Sequence, residues 1–248
     1  MIAFERLTVA YPGGTTAVDD VTLAIAPGSF VALVGRSGSG KSTLLKTVKR
    51  LISPTAGRVL VDGRPVDAEP APLLRRRIGY VFQGIGLFPH MTVAENIAVP
   101  LRLDGRVDPE RVAALLDLVD LPQEVATRRP DALSGGQRQR VGVARALATE
   151  AKLLLMDEPF GALDPMTRDA LGQAVRTLHD RLGLTTLMVT HDMAEALLLA
   201  TRVLVMAKGR IVADTTPAAL IAGEGGPEAQ ALVDVPRRQM QALKALSA

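Results

Sequence analysis

Residues 30–43 read "FVALVGRSGSGKST", an apolar run entering a loop with glycines at Gly35, Gly38 and Gly40, and "KSTLLKTVKRL" then continues with helical composition. Strand, glycine loop and helix in that order make backbone N–H groups converge on an anion at a helix N-terminus. The pattern constrains the fold before anything else does, because the run must be a buried strand opening on a phosphate site. The glycines let the backbone wrap a phosphate chain, Lys41 reaches the terminal phosphates, and the Ser42 hydroxyl ligates magnesium.

Two further runs, "AKLLLMDEP" and "TTLMVTHD", are continuously apolar and end in polar residues. Unalternating strands suit a parallel sheet covered on both faces, and ligands sit beyond the carboxyl ends of such strands. Asp157, Glu158 and His191 are therefore expected to line one crevice with the loop at 35–43. Asp157 would hold the magnesium from its outer coordination sphere, Glu158 would polarise the attacking water, and His191 would contact the terminal phosphate and orient that water. His90 and His179 lack such placement and are read as structural.

Elsewhere "FERLTVAY" alternates like a half-buried strand, and Asp62–Gly63 in "RVLVDGRPV" is a tight-turn signal for a hairpin. From about residue 84 to about 150 the chain is helical in character. There "VDPERVAALLDLVDL" has Asp108 placed to cap, Pro109 at the first helical position, and Val112, Leu115, Leu116 and Val119 on one stripe. "RVLVMAKGRIVADTT" reads as a second hairpin, followed by a short helical tail. The 248 residues, 48% apolar and 22% charged, suffice for one domain or one domain with an inserted subdomain. Zero cysteines exclude a disulfide framework and a thiolate metal site, which suits a reducing compartment. The amino terminus lacks the build of a signal peptide, and Glu195 and Arg202 interrupt the best apolar run short of a spanning helix, so a cytoplasmic protein is expected. The net charge of +3 is mild and the arginine pairs and triplet have no interleaved aromatics, so no nucleic-acid partner is expected.

A second glycine loop, "LSGGQRQR" at 133–140, needs a separate explanation. Together with "GRSGSGKST", "LLLMDEP" followed by "FGALD", and "VTHD", it resembles the ATP-binding subunit of ABC transporters over about residues 1–220. The resemblance implies an α/β fold: a P-loop NTPase (RecA-like) core with an antiparallel β subdomain and an inserted α-helical subdomain. The ATPase domain would span 1–225, with core 1–83 and 153–225 and the helical subdomain at about 84–152, and a helical tail at 226–248. In that family two subunits pair head to tail, and the signature loop, here Ser134, Gly135, Gly136 and Gln137, caps the ATP held by the other subunit. ATP would be bound by Tyr11, stacking on adenine, and by Gly35, Ser37, Gly38, Ser39, Gly40, Lys41, Ser42 and Thr43. Gln83 matches the glutamine that ligates magnesium with Ser42 and Asp157, and Lys41, Gln83, Glu158 and His191 would be the catalytic set. Asp164, in "GALD", matches the loop that communicates across the dimer, with alanine where serine is also common. ATP and Mg2+ are the implied cofactors, and a homodimer would carry two competent sites. Physically, "LSGGQ" opens a helix in "QRQRVGVARALA", so its N–H groups and the Ser134 hydroxyl would present a second positive helix end to the γ-phosphate.

Three classes compete: the motor subunit of a membrane transporter, a soluble ABC ATPase acting on DNA or ribosomes, and an unrelated P-loop kinase. A P-loop kinase would not need the signature loop; DNA-repair members place a long coiled coil between the two motifs, and ribosome-acting members usually join two such domains by a charged linker. The segment "GYVFQGIGLFPHMTVAENIAVPLRL" resembles the ATPases of osmoprotectant, or quaternary-amine, importers for glycine betaine, choline or carnitine. That implies transmembrane permease subunits as partners, a solute-binding protein acting indirectly, and a peripheral position on the inner face of the membrane. Phe88, Pro89 and Met91 are the expected socket for a permease coupling helix. With its end at Ala248, the chain is expected to carry no CBS domains, which argues against osmotic gating through them. Importers of amino acids or alkyl-sulfonates, lipid-handling systems, and soluble ABC ATPases acting on nucleic acid or ribosomes stay open as alternatives.

Overall fold

The computed structural model describes residues 1–106 and 108–246, so the expected helical tail is described as far as Leu246 and its last two residues lie outside. In chain order the elements are β1 (Ile2–Ala10), β2 (Thr16–Ile25), β3 (Phe30–Val34), α1 (Lys41–Val48), β4 (Ala56–Val61), β5 (Arg64–Pro65), α2 (Ala71–Arg76) and β6 (Ile78–Val81). Then follow α3 (Val93–Leu103), α4 (Pro109–Leu118), two short 3-10 turns, α5 (Gly135–Leu147), β7 (Leu153–Asp157), α6 (Pro165–Leu182) and β8 (Thr185–Val189). The chain closes with α7 (Met193–Leu199), β9 (Arg202–Ala207), β10 (Arg210–Thr215), α8 (Pro217–Ile221) and α9 (Gly226–Leu246). It divides into two compact units, Met1–Val66 with Leu187 onward, and Asp67–Thr186, and β8 carries the chain from the second back to the first. Among the described residues no helix is long and apolar enough to cross a membrane.

In the first unit, β2-β1-β4-β5 form an antiparallel sheet. β1 buries Ile2, Phe4, Leu7 and Val9. The parity slips between Phe4 and Leu7 because Arg6 takes a left-handed φ of 48° and the register shifts there, so a bulge keeps both apolar residues inward. Asp62 and Gly63, at φ 51° and 74°, make the two-residue turn that pairs Val61 with Arg64, as their sequence predicts. The same chemistry at Lys208 and Gly209 joins β9 to β10. β3 is buried at every residue and runs parallel to β9, with Val34 opposite Val205.

In the second unit β6 and β7 are parallel, from Ile78 opposite Leu153 to Val81 opposite Met156, and both are wholly buried. The expected helical stretch lies in this unit. Its helices begin where capping side chains permit: Thr92 forms a reciprocal capping box with Glu95, Asp108 accepts the Arg111 N–H with Pro109 next in line, and Asp164 accepts the Thr167 N–H. α4 buries Val112, Leu115 and Leu116, and Val119 follows, which is the predicted stripe. α5 lies so close to β6 that a Cβ on Gly79 would stand 2.5 Å from the Ala146 carbonyl oxygen.

Candidate functional site

In the first unit the phosphate loop is built on backbone that side chains cannot share. Gly35, Gly38 and Gly40 have φ of 154°, 78° and 107°. A Cβ at Gly35 would fall 2.2 Å from the Met206 carbonyl oxygen in β9, and one at Gly40 would fall 2.0 Å from that of Ala17 in β2. The Gly209 N–H donates to the Ser39 carbonyl at 3.0 Å, so the loop is seated against both strands. Arg36, Ser37 and Gly38 are exposed, whereas Ser39 and Lys41 are buried. The Lys41 ammonium turns back over the loop, donating to Gly35 O at 2.8 Å and Arg36 O at 3.0 Å. α1 starts without a side-chain cap and without an acidic residue in its first turn, so its N-terminal field is left to an anion.

Two further predicted residues belong to this unit. Tyr11, just after β1, is exposed, and its hydroxyl lies 3.2 Å from Thr43 Oγ1. His191 is exposed and follows β8; the N–H of its neighbour Thr190 donates to Leu33 O, two residues before Gly35. The Thr190 hydroxyl donates to buried Glu195 at 2.6 Å, and Asp192 caps α7, so the residues on both sides of His191 are held.

The second unit carries the carboxylates. Gln83 and Glu158 each stand two residues beyond the paired Val81 and Met156, and parallel strand geometry brings their side chains together, Gln83 Nε2 donating to Glu158 Oε2 at 3.2 Å. Glu158 has a left-handed φ of 47°, a conformation that costs a non-glycine residue energy. Asp157 is 2% exposed and accepts the Tyr80 hydroxyl at 3.3 Å. Burial, reinforced by the Asp157 charge, pushes the Tyr80 hydroxyl well above its usual range, so Tyr80 stays a donor. Sequence reasoning missed Tyr80; its signal was an inward tyrosine in a strand whose neighbour ends in the functional aspartate. Among the described residues no cluster of three or more His, Cys, Asp or Glu could hold a metal. The donors of Ser42, Gln83 and Asp157 are hydroxyl, amide and carboxylate oxygens. Oxygen donors of these kinds are the ones magnesium accepts when phosphate and water supply its other ligands.

The signature segment opens α5. Ser134 is the N-cap: its hydroxyl accepts the Gln137 N–H at 3.2 Å, and Gln137 Oε1 accepts the Ser134 N–H at 3.0 Å. The Ser134 hydroxyl proton is left to donate elsewhere. Gly135 and Gly136 form the first turn against α6, where a Cβ on Gly136 would meet Thr167 Cγ2 at 2.5 Å. Asp164 caps α6 through Thr167, and those hydrogen bonds hold its carboxyl below the usual range. The signature turn and the "GALD" loop therefore adjoin through Thr167.

After Gln83 the loop is anchored twice. Arg145 of α5 holds its beginning, and fully buried Asn96 accepts the Phe88 N–H at 2.8 Å and donates to Phe88 O, Met91 O and Thr92 O. Phe88 and Pro89 are exposed and Met91 is half-buried. In the same unit a cavity of about 290 Å³ opens between α3 and α4, lined by Ala98, Val112, Ala113 and Leu116 among others. His179 is buried, with Nδ1 2.9 Å from the Thr186 hydroxyl.

The geometry agrees with the relatives this chain has. A family model described as ABC transporter matches residues 18–161, more than half of the chain. The carnitine transport ATP-binding protein OpuCA of Listeria monocytogenes is 51% identical over 220 residues, which cover 88% of this chain and 55% of that protein. The choline transport ATP-binding protein OpuBA of Bacillus subtilis is 49% identical over 220 residues, covering 88% of this chain and 58% of that one. The chain thus spans about half the length of the curated relatives it matches. A solved dimeric ATP-binding cassette, in a post-hydrolysis state with ADP and Pi bound, superposes with a TM-score of 0.79 at 33% identity, covering 88% of this chain and 99% of that one. By its matched domain, its α/β fold and these relatives, the chain belongs to the ABC transporter family.

Proposed function

We propose that the chain is the ATP-hydrolysing subunit of an ABC importer for osmoprotectants of the quaternary-amine class, working as a head-to-tail homodimer that drives membrane-spanning permease subunits. The observation that carries the hydrolytic part is the Gln83–Glu158 pair beside buried Asp157, a base and its orienting amide at adjacent strand ends. The phosphate loop and the N-terminus of α1 bind the triphosphate, Lys41 moves from the loop carbonyls to the terminal phosphates, and Tyr11 stacks on adenine. Ser42 and Gln83, with Asp157 behind them, would hold magnesium, which would supply charge neutralisation on the phosphates. Glu158 takes the proton of the attacking water and His191 orients it. Ser134 to Gln137 close over the nucleotide of the partner subunit, and Asp164 passes closure across the dimer.

The relatives, ATP-binding proteins of carnitine and choline transport, support the cargo class, and the exposed Phe88–Pro89 edge supports a permease socket. Working at the inner face of the membrane follows from those partners. Pulling down tagged Glu158→Gln protein from native membranes with ATP and magnesium, and identifying what co-purifies by mass spectrometry, tests this reading. Recovery of a multi-spanning permease, with a solute-binding protein that binds quaternary amines, is the expected result. Recovery of ribosomal or DNA-associated proteins instead would overturn it, and a permease paired with a binding protein for amino acids or alkyl-sulfonates would overturn the cargo class alone.

A further inference from the structure

Three successive residues after Gln83 are left-handed: Gly84, Ile85 and Gly86, at φ 75°, 71° and 58°. Glycine adopts this backbone freely, but a β-branched residue does so only when its surroundings impose it. The Arg145 guanidinium donates one arm to Ile85 O and the other to Gly86 O, each at 2.8 Å, across 60 and 59 residues of sequence. The Arg145 carbon Cζ lies 5.8 Å from the centre of the Phe82 ring, on the other side of Gln83. Among the described residues no carboxylate pairs with this mostly buried arginine, so its charge is spent on the two carbonyls and the ring. Gly142, one turn earlier on α5, leaves room for Ile85: a Cβ there would stand 3.3 Å from Ile85 Cγ2.

We infer that Arg145 is a positioning residue that clamps the Gly84–Gly86 turn in its strained form, and so aims Gln83 at Glu158. Arg145 lies on the helix that Ser134 to Gln137 begin, so movement of the signature end would reach Gln83 through one side chain. The inference rests on the reading of Gln83 and Glu158 as hydrolytic residues.

The test exploits the strain. Lysine lacks the rigid planar fork that reaches both carbonyls while its flat face meets Phe82, so Arg145→Lys should lower kcat for ATP hydrolysis about tenfold while KM for ATP stays within about twofold. It should also speed amide hydrogen exchange in residues 83–87 by about tenfold. Glycine at position 85 needs no clamp, so Ile85→Gly should restore kcat of Arg145→Lys to within about threefold of the parental chain. A role in folding alone predicts no such rescue. If Arg145→Lys does not fold, Gly142→Ala takes its place, because its methyl presses on the clamped Ile85; it should slow hydrolysis and be rescued by the same Ile85→Gly change. Parental kcat in Arg145→Lys, or absence of rescue in whichever pair folds, would overturn the inference. A parental chain that hydrolyses no ATP would sink the functional reading instead, and the exchange rates would then decide the clamp by themselves.

Discussion

Glu158→Gln protein binds ATP as the parental chain does and hydrolyses it about a thousandfold more slowly, as expected for loss of a general base. That factor corresponds to about 4 kcal/mol of transition-state stabilisation. Glutamine has the shape of glutamate, can still accept from Gln83 through its carbonyl oxygen, and carries no larger penalty at a φ of 47°. What it lacks is a basic oxygen. Binding should be untouched because the groups assigned to the triphosphate, from Gly35 to Thr43, lie elsewhere in the sequence. Single-turnover hydrolysis with magnesium, read beside equilibrium nucleotide binding, separates the two quantities. Hydrolysis at the parental rate would remove Glu158 from the role of base.

Gly40→Ala should fail earlier, at the level of the loop itself. The added methyl would stand 2.0 Å from the Ala17 carbonyl oxygen and 2.9 Å from the Met206 methyl carbon Cε, on backbone at φ 107°. The carbonyl belongs to β2, where the paired Thr16 and Val18 hold the backbone on both sides of Ala17, so the loop must move instead. A loss of about 4 kcal/mol of stability is expected for backbone strain and overpacking combined. For a domain of this size that is a fall of about 10 °C in Tm. ATP affinity should drop at least about a hundredfold, because the N–H groups of the loop no longer converge. Gly38→Ala is the internal control: nothing lies within 4 Å of its added Cβ, so only the φ of 78° opposes it and the fall in Tm should be the smaller. Equal Tm for the two variants would show that the Ala17 contact carries no weight.

Local signals were legible in the sequence, and the structure carries them as read. The glycine loop, the Asp62–Gly63 turn, the Asp108–Pro109 helix start and the wholly buried runs of β3, β7 and β8 each depend on residues within a few positions of one another. What was hidden depends on pairing across the chain. Tyr80 meets Asp157 over 77 residues, Gln83 meets Glu158 over 75, and Arg145 meets Ile85 over 60. No periodicity or spacing announces those partners; they exist because β6 and β7 align in parallel and α5 packs against β6 at Gly79. The left-handed Ile85 was hidden for the same reason, since nothing local favours that backbone in a β-branched residue. The signature loop was read as a helix opening, and it is one, but the capping box that occupies Ser134 and Gln137 shows that these side chains first serve their own helix.

The central claim is that this loop completes the site of a second subunit. The chain has no cysteine, and Ser37 and Ser134 are both exposed, so single thiols can be placed there with little change of shape. In the Glu158→Gln background, one preparation carries Ser37→Cys and a second carries Ser134→Cys; they are mixed and treated with a short bifunctional maleimide, with and without ATP and magnesium. A head-to-tail pair predicts a covalent heterodimer joining positions 37 and 134 that forms only with nucleotide. Cross-links that join only 37 to 37 or 134 to 134, or a 37–134 yield indifferent to ATP, would contradict the shared site.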